Sequence, residues 1–234
     1  MGNEDIKRIV ELLSSIQFDQ DLFKLYIDQD TVVFGAIVKD IPKVNRFFSY
    51  KTIYDSIIDT AKKAKRSIIL GIQFAEKVDL DEWDPFTEPP EEEWMAMYYM
   101  ENALFRVSVL WDLLAQMYNI KENIGKPNDE IHCERFFHNA QQGKEAKPFA
   151  VKVYHYLSQE EDKKTIGFTG NHSFIKGYRD QMMHRNSPSV STYSDFGMEI
   201  RLPALYYLTR LTEDFAQVSQ FIKELVSEVL EKEL

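Results

Sequence analysis

Apolar positions recur every three or four residues along most of the chain, the period of helices that bury one face. Ile6, Ile9, Val10, Leu13 and Ile16 set the pattern, and Leu22, Phe23 and Tyr26 continue it beyond a break near Phe18. Residues 4–29 are therefore predicted as one or two helices. Thr31 to Val38, TVVFGAIV, is rich in β-branched residues and fits a short strand or a buried turn of helix alike. From Tyr50 to Gln73 the apolar set Tyr54, Ile57, Ala61, Ala64 and Ile68 predicts an amphipathic helix. The interleaved Lys62, Lys63, Lys65 and Arg66 read more simply as a solvated helix face than as a phosphate contact.

Residues 79–93 are acidic and proline-containing, and read as a loop. Pro89-Pro90-Glu91-Glu92-Glu93 makes a good helix start, because proline and carboxylates suit a first turn. The helix that follows, over residues 92–119, is apolar round most of its circumference, which places it near the centre of the protein. A single polar stripe of Glu101, Ser108 and Asp112 interrupts it. A carboxylate there can hold an arginine from a neighbouring helix in a fixed fork, Arg179 in particular, or simply face water.

Shorter helices are predicted over residues 130–140 and 149–157. Another starts at Asn171, a good N-cap, and stops near His184 or Arg185, because Asn186-Ser187-Pro188 cannot continue it. After a Ser/Thr-rich loop, Pro203 opens the last helix, where Ala204, Leu208, Leu211, Phe215, Val218, Ile222, Leu225 and Val229 alternate steps of four and three. That heptad is a bundle seam or a dimer contact. With no repeat, low-complexity tract or clear linker, one all-α domain is the simplest description. Residues 1–90 form an added N-terminal helical layer on a core of residues 91–234.

Composition adds limits. The chain has 234 residues, 44% of them hydrophobic, enough for a real core. No apolar run approaches the roughly 18 residues of a membrane span. The start MGNEDIKRIVELL is charged where a signal peptide is apolar, and Ile6 stands where a myristoylation site wants Ser or Thr. A cytoplasmic protein without a membrane partner is expected. The one cysteine, Cys133, excludes an internal disulfide and fits a reducing compartment. His132, Cys133 and His138 lie close together, but no second cysteine pair completes a structural zinc site, so neither metal nor cofactor is expected.

Net charge is −10 and the pI about 5.1, which disfavours a broad electrostatic grip on nucleic acid. The acid is uneven, however. Residues 77–94 hold eight carboxylates and one lysine, whereas residues 172–185 carry Lys176, Arg179 and Arg185 against Asp180.

Candidate chemistry concentrates in Thr169 to Ser191, TGNHSFIKGYRDQMMHRNSPSVS. Arg179 and His184 stand five positions apart near the end of the predicted helix. At about 100° per residue they lie about 140° apart round its axis. They converge on one ligand only if the last turn unwinds or a second copy supplies the other half. The residues alone read more simply as a surface arginine paired with a carboxylate and a histidine capping helix carbonyls.

The pattern Arg179-Asp180-x-x-x-His184 resembles the signature of the HEPN superfamily: arginine, four to six residues, then histidine, commonly with Asn, Asp or His after the arginine. It also lies late in an all-helical chain with a helix stop behind it, as the family's motif does. The resemblance implies an antiparallel helical bundle and a metal-independent endoribonuclease. Many members are toxins or phage-defence effectors, which adds an antitoxin as a partner. Family active sites typically form between two motifs, so a homodimer is implied.

The residue types suit that chemistry. Histidine can take the proton of an RNA 2′-hydroxyl, which then attacks the adjacent phosphate and leaves a 2′,3′-cyclic phosphate. Arg179 can stabilise the charge that develops on phosphorus oxygens. Asp180 can orient a side chain or a partner's arginine, Arg185 and Asn186 can contact phosphate or base, and Glu101 and Asp112 can support the site. Two other classes stay open: a module that binds RNA or a nucleotide without cutting, and a helical interaction protein that uses the heptad of residues 204–229.

Overall fold

A computed structural model describes residues 3–23, 26–28, 31–32, 42–142, 146–160, 169–184, 189–194 and 197–233. Among them are seven α-helices: α1 (Asn3–Ser15), α2 (Pro42–Ala75), α3 (Glu91–Lys121), α4 (Cys133–Ala140), α5 (Pro148–Leu157), α6 (Asn171–His184) and α7 (Ala204–Glu233). Two short antiparallel hairpins accompany them, β1 (Tyr26–Asp28) with β2 (Thr31–Val32) and β3 (Thr192–Ser194) with β4 (Gly197–Glu199). The architecture is the expected all-α bundle.

Helices α2 and α3 run antiparallel. At one end Arg46 on α2 donates to the carbonyls of Ile120 (2.8 Å) and Lys121 (2.7 Å), groups that the end of α3 leaves without intrahelical partners. At the other end Gly71 lies against Ala96 and Leu208, and a Cβ there would stand 2.9 Å from Leu208 Cδ2. The small residue is what lets α7 approach the α2–α3 pair.

Every residue of the α7 heptad, Ala204 through Val229, is 0% exposed. The seam is therefore internal to the bundle, which decides between the two readings that the spacing left open. Thr209, Thr212 and Ser219 on α7 are also buried, and each returns its hydroxyl to the carbonyl four residues earlier, so none of these three hydroxyls is stranded. Helix α3 is central as expected, with Met100, Leu104, Val107, Leu110 and Leu114 fully buried. At its C-terminal half Tyr118 stacks on Phe149 of α5 and packs against Phe137 of α4.

Three local expectations are corrected. No second helix follows α1: Asp19 Oδ1 accepts the Asp21 amide in a local turn, and Tyr54 donates to the Asp19 carbonyl, so the chain folds back and lays Phe23 on Tyr50 and Tyr54. Asn171 does not act as the N-cap of α6. Its side-chain amide donates to Glu213 at 2.7 Å, and the Gly170 carbonyl accepts the first helical amide from a backbone at φ +66°, a conformation suited to glycine. The segment read as a Ser/Thr-rich loop contains the β3–β4 hairpin. The start of TVVFGAIV is strand β2, and residues 33–38 lie outside the described residues. Among the described residues no helix is long and apolar enough to cross a membrane.

Candidate functional site

Helix α6 packs antiparallel to α7, with Phe174 against Tyr206 and Tyr207 and Tyr178 against Tyr207. That contact turns a polar face of α6 towards the middle of α3 and the start of α4. His172, Lys176 and Arg179 are four and three residues apart, so they share this face. Arg179 is 32% exposed, and its Nε and one terminal nitrogen both lie on Asp180 Oδ1, at 3.2 and 3.1 Å. A half-exposed pair between sequence neighbours contributes little to stability and leaves the guanidinium free to be drawn to a stronger anion. Lys176 pairs with Glu134 of α4. The local positive charge read from the sequence is thus largely compensated within the fold.

Among the described residues the α3 stripe forms neither the fork with Arg179 nor a plain solvated face, the two readings that the sequence left open. Glu101 accepts the Tyr178 hydroxyl at 2.9 Å, and burial holds its carboxyl above the usual carboxylate range, with Tyr178 offsetting part of that rise. Asp112 accepts the Cys133 backbone amide at 2.9 Å and so serves the first turn of α4. Burial raises its pKa as well. The opposing influences are the Cys133 amide and then electrostatic attraction to His132, just before α4, and to Arg179 and His172 on α6. Asp112, not Glu101, is the α3 carboxylate that feels Arg179.

Position 184 ends α6 with the backbone still helical, which puts it about 140° round the axis from position 179. The unwound last turn that would have let the pair meet within one chain is therefore not adopted by the backbone. Arg185 and Asn186 lie outside the described residues.

The group that shares the α6 face with Arg179 is one that the motif did not mark. His172 is 13% exposed at its side chain, and its Nδ1 lies 3.4 Å from Oδ1 of Asp214 on α7, a carboxylate 1% exposed. Asp214 is held by two further donors, Trp111 Nε1 at 3.0 Å and the Tyr156 hydroxyl at 3.0 Å. Burial first, then the Asp214 charge, raise the pKa of that hydroxyl and keep it a donor. The Trp111 ring meets the His172 ring edge to face, with centroids 5.0 Å apart. Two signals were present in the sequence: a histidine seven residues before Arg179, and an aspartate one position from the Phe215 core residue of a heptad.

Beside the Glu101–Tyr178 bond opens a cavity of about 760 Å³, lined by Phe86, Glu93, Trp94, Tyr98 and Arg201 among others. Trp94 and Tyr98 lie nearly parallel, 13° between planes, and both are exposed. Cys133 is buried, and burial followed by the Asp112, Asp214 and Glu134 charges pushes its thiol well above the ordinary value, which disfavours the thiolate. Among the described residues no group of His, Cys, Asp and Glu is placed to hold a metal ion.

Fold and site together define an all-α bundle with a half-buried polar face formed by α3, α4, α6 and α7. No protein-family model, no curated protein and no solved structure matches the chain.

Proposed function

We propose that the chain is a HEPN-type, metal-independent endoribonuclease whose site is completed between two copies, with Arg179 stabilising charge on the scissile phosphate and His184 transferring a proton. The observation that carries the reading is the placement of Arg179. It lies on the penultimate turn of α6, partly exposed, paired among the described residues with its neighbour Asp180 and within electrostatic reach of the part-buried Asp112, in a chain whose motif order resembles that superfamily's. A helical backbone through position 184 favours the two-copy arrangement, because the two motif positions then diverge on one helix. Trp94 and Tyr98 add aromatic faces on which a base can stack. An antitoxin partner and a role as a toxin or phage-defence effector extend the same proposal.

A second reading, a module that binds RNA or a nucleotide without cutting it, is favoured by the net charge of −10 and by the carboxylates that already pair Arg179 and Lys176. The heptad-based interaction reading loses its surface, since that heptad is spent inside the bundle.

The test is incubation of purified protein with total RNA in EDTA, beside His184→Ala and Arg179→Ala. Cleavage that leaves cyclic phosphate and 5′-hydroxyl ends, and that both variants lose while keeping their helical signal, is the expected result. Full activity in either variant removes the catalytic assignment. Binding without cleavage moves the function to the second reading.

A further inference from the structure

Cleavage of RNA by its own 2′-hydroxyl needs two proton transfers. A base removes the 2′-hydroxyl proton as the O2′–P bond forms, and an acid protonates the 5′-oxygen as the P–O5′ bond breaks. Each motif supplies one histidine, at a position that diverges from its own Arg179. Resting on the ribonuclease reading above, we propose that His172, backed by the buried Asp214, is the second proton-transfer group and donates to the departing 5′-oxygen.

The placement follows from α6. His172 and Arg179 are seven residues apart, nearly two full turns, so they share one face with about 10 Å between their Cα atoms. Helical side chains lean towards the N-terminus, which tips the arginine back towards the histidine. A phosphate held by Arg179 thus has the His172 ring on the same side of the helix. The motif position 184 does not share that face.

The ring is also built in for the task. Its Nδ1 is buried 3.4 Å from Asp214 Oδ1 without a completed hydrogen bond, so a small ring rotation closes the contact. Such bonds are often long before substrate arrives and tighten with it. Trp111 and Tyr156 fix Asp214 from two sides, which fixes the direction it offers to Nδ1 and leaves Nε2 as the nitrogen for a ligand. The competing acids on this face are committed: Asp112 to the Cys133 amide and Glu134 to Lys176. In one turnover the base gains the proton that the 2′-oxygen loses and His172 loses the proton that the 5′-oxygen gains. The products are a 2′,3′-cyclic phosphate and a 5′-hydroxyl, and exchange with water resets both groups.

The test compares two leaving groups at one mapped cleavage site. One RNA oligonucleotide carries the ordinary 5′-oxygen and the other a bridging 5′-sulfur, whose thiolate departs without a proton. Wild type, His172→Ala, His172→Asn and His184→Ala are assayed on both, with thermal unfolding run alongside. His172→Asn keeps a donor towards Asp214, so it stays informative if the alanine variant unfolds. The expected result is a loss of roughly 100-fold or more in the His172 variants on the oxygen substrate, and a loss of less than about 5-fold on the sulfur substrate. His184→Ala is expected to lose both. Equal losses in the His172 variants on the two substrates, or no loss on either, overturn the proposal and leave the ribonuclease reading standing. A wild type inert on both substrates overturns that reading, and this proposal with it.

Discussion

Removing the buried carboxylate Asp214 tests whether the polar centre of the bundle is held as the geometry indicates. Asp214 is 1% exposed and accepts from Trp111 Nε1 and from the Tyr156 hydroxyl, both at 3.0 Å. In Asp214→Ala the indole N–H loses its acceptor in a fully buried setting, and the part-buried Tyr156 hydroxyl loses its own. A stranded donor costs about 1–3 kcal/mol and hydrogen bonds to charged groups fall at the upper end, so the two together with a small cavity give about 3–5 kcal/mol. For a chain of this size that is a fall in Tm of about 10–15 °C. The assay is urea unfolding followed by far-ultraviolet circular dichroism, run as a cycle with Tyr156→Phe. Tyr156→Phe alone should cost about 1–2 kcal/mol, and close to nothing in the Asp214→Ala background, because its acceptor is already gone. Additivity of the two substitutions within about 0.5 kcal/mol, or an Asp214→Ala cost below about 1 kcal/mol, refutes the assigned bonding.

Three further outcomes follow from particular contacts. Gly71→Ala places a Cβ 2.9 Å from Leu208 Cδ2 and 3.4 Å from the Ala96 carbonyl, so the buried Leu208 side chain must repack or α7 must shift; a loss of about 1–3 kcal/mol in urea unfolding is expected, and a gain would show that the interface has slack. Glu101 is held above the ordinary carboxylate value by burial, so the folded state binds more protons than the unfolded one as pH rises from that value. Its contribution to stability is present below the unfolded pKa and lost as pH rises through the folded one. Stability measured from about pH 4 to pH 8 should therefore decline less steeply in Glu101→Gln, the remaining slope coming in part from Glu93 and Asp112, which burial raises likewise. Identical slopes would refute the assignment. The Cys133 thiol, buried and pushed well up, should react with an aromatic disulfide reagent only on unfolding; prompt reaction in the native protein would contradict its burial.

The helices were legible where one period ran unbroken. The α7 heptad and the α3 pattern of apolar residues round most of the circumference each predicted a buried element, and both are largely buried, although α3 keeps an exposed stripe through Trp94, Tyr98, Phe105 and Val109. What periodicity could not see was competition from side chains. Leu22 and Phe23 extend the N-terminal pattern, yet the Asp19 turn breaks it first, because a carboxylate that accepts an amide two residues on offers the backbone an alternative to the helix. Asn171 has the chemistry of a cap, but Glu213, 42 residues away, takes its amide. The β3–β4 hairpin has strands of three residues, too short for alternation to rise above loop composition.

The candidate site divides along the same line. Arg179 was marked by a local motif, and local spacing suffices for it, since one helix carries the whole pattern. His172 and Asp214 were not, because what joins them is the crossing of α6 and α7 and a tryptophan from a third helix, α3. Their pairing accounts for an aspartate beside an apolar heptad seam, kept almost fully buried with Trp111 and Tyr156 arranged to receive it. Replacing a buried charge by apolar groups of similar size is often neutral or stabilising, so the two bonds alone do not single out an aspartate here. The proposed proton transfer would, because it needs a carboxylate behind a part-exposed imidazole on the helix face of the motif arginine. The Asp214 cycle and the leaving-group comparison therefore probe one arrangement from two sides, its cost to folding and its use in chemistry.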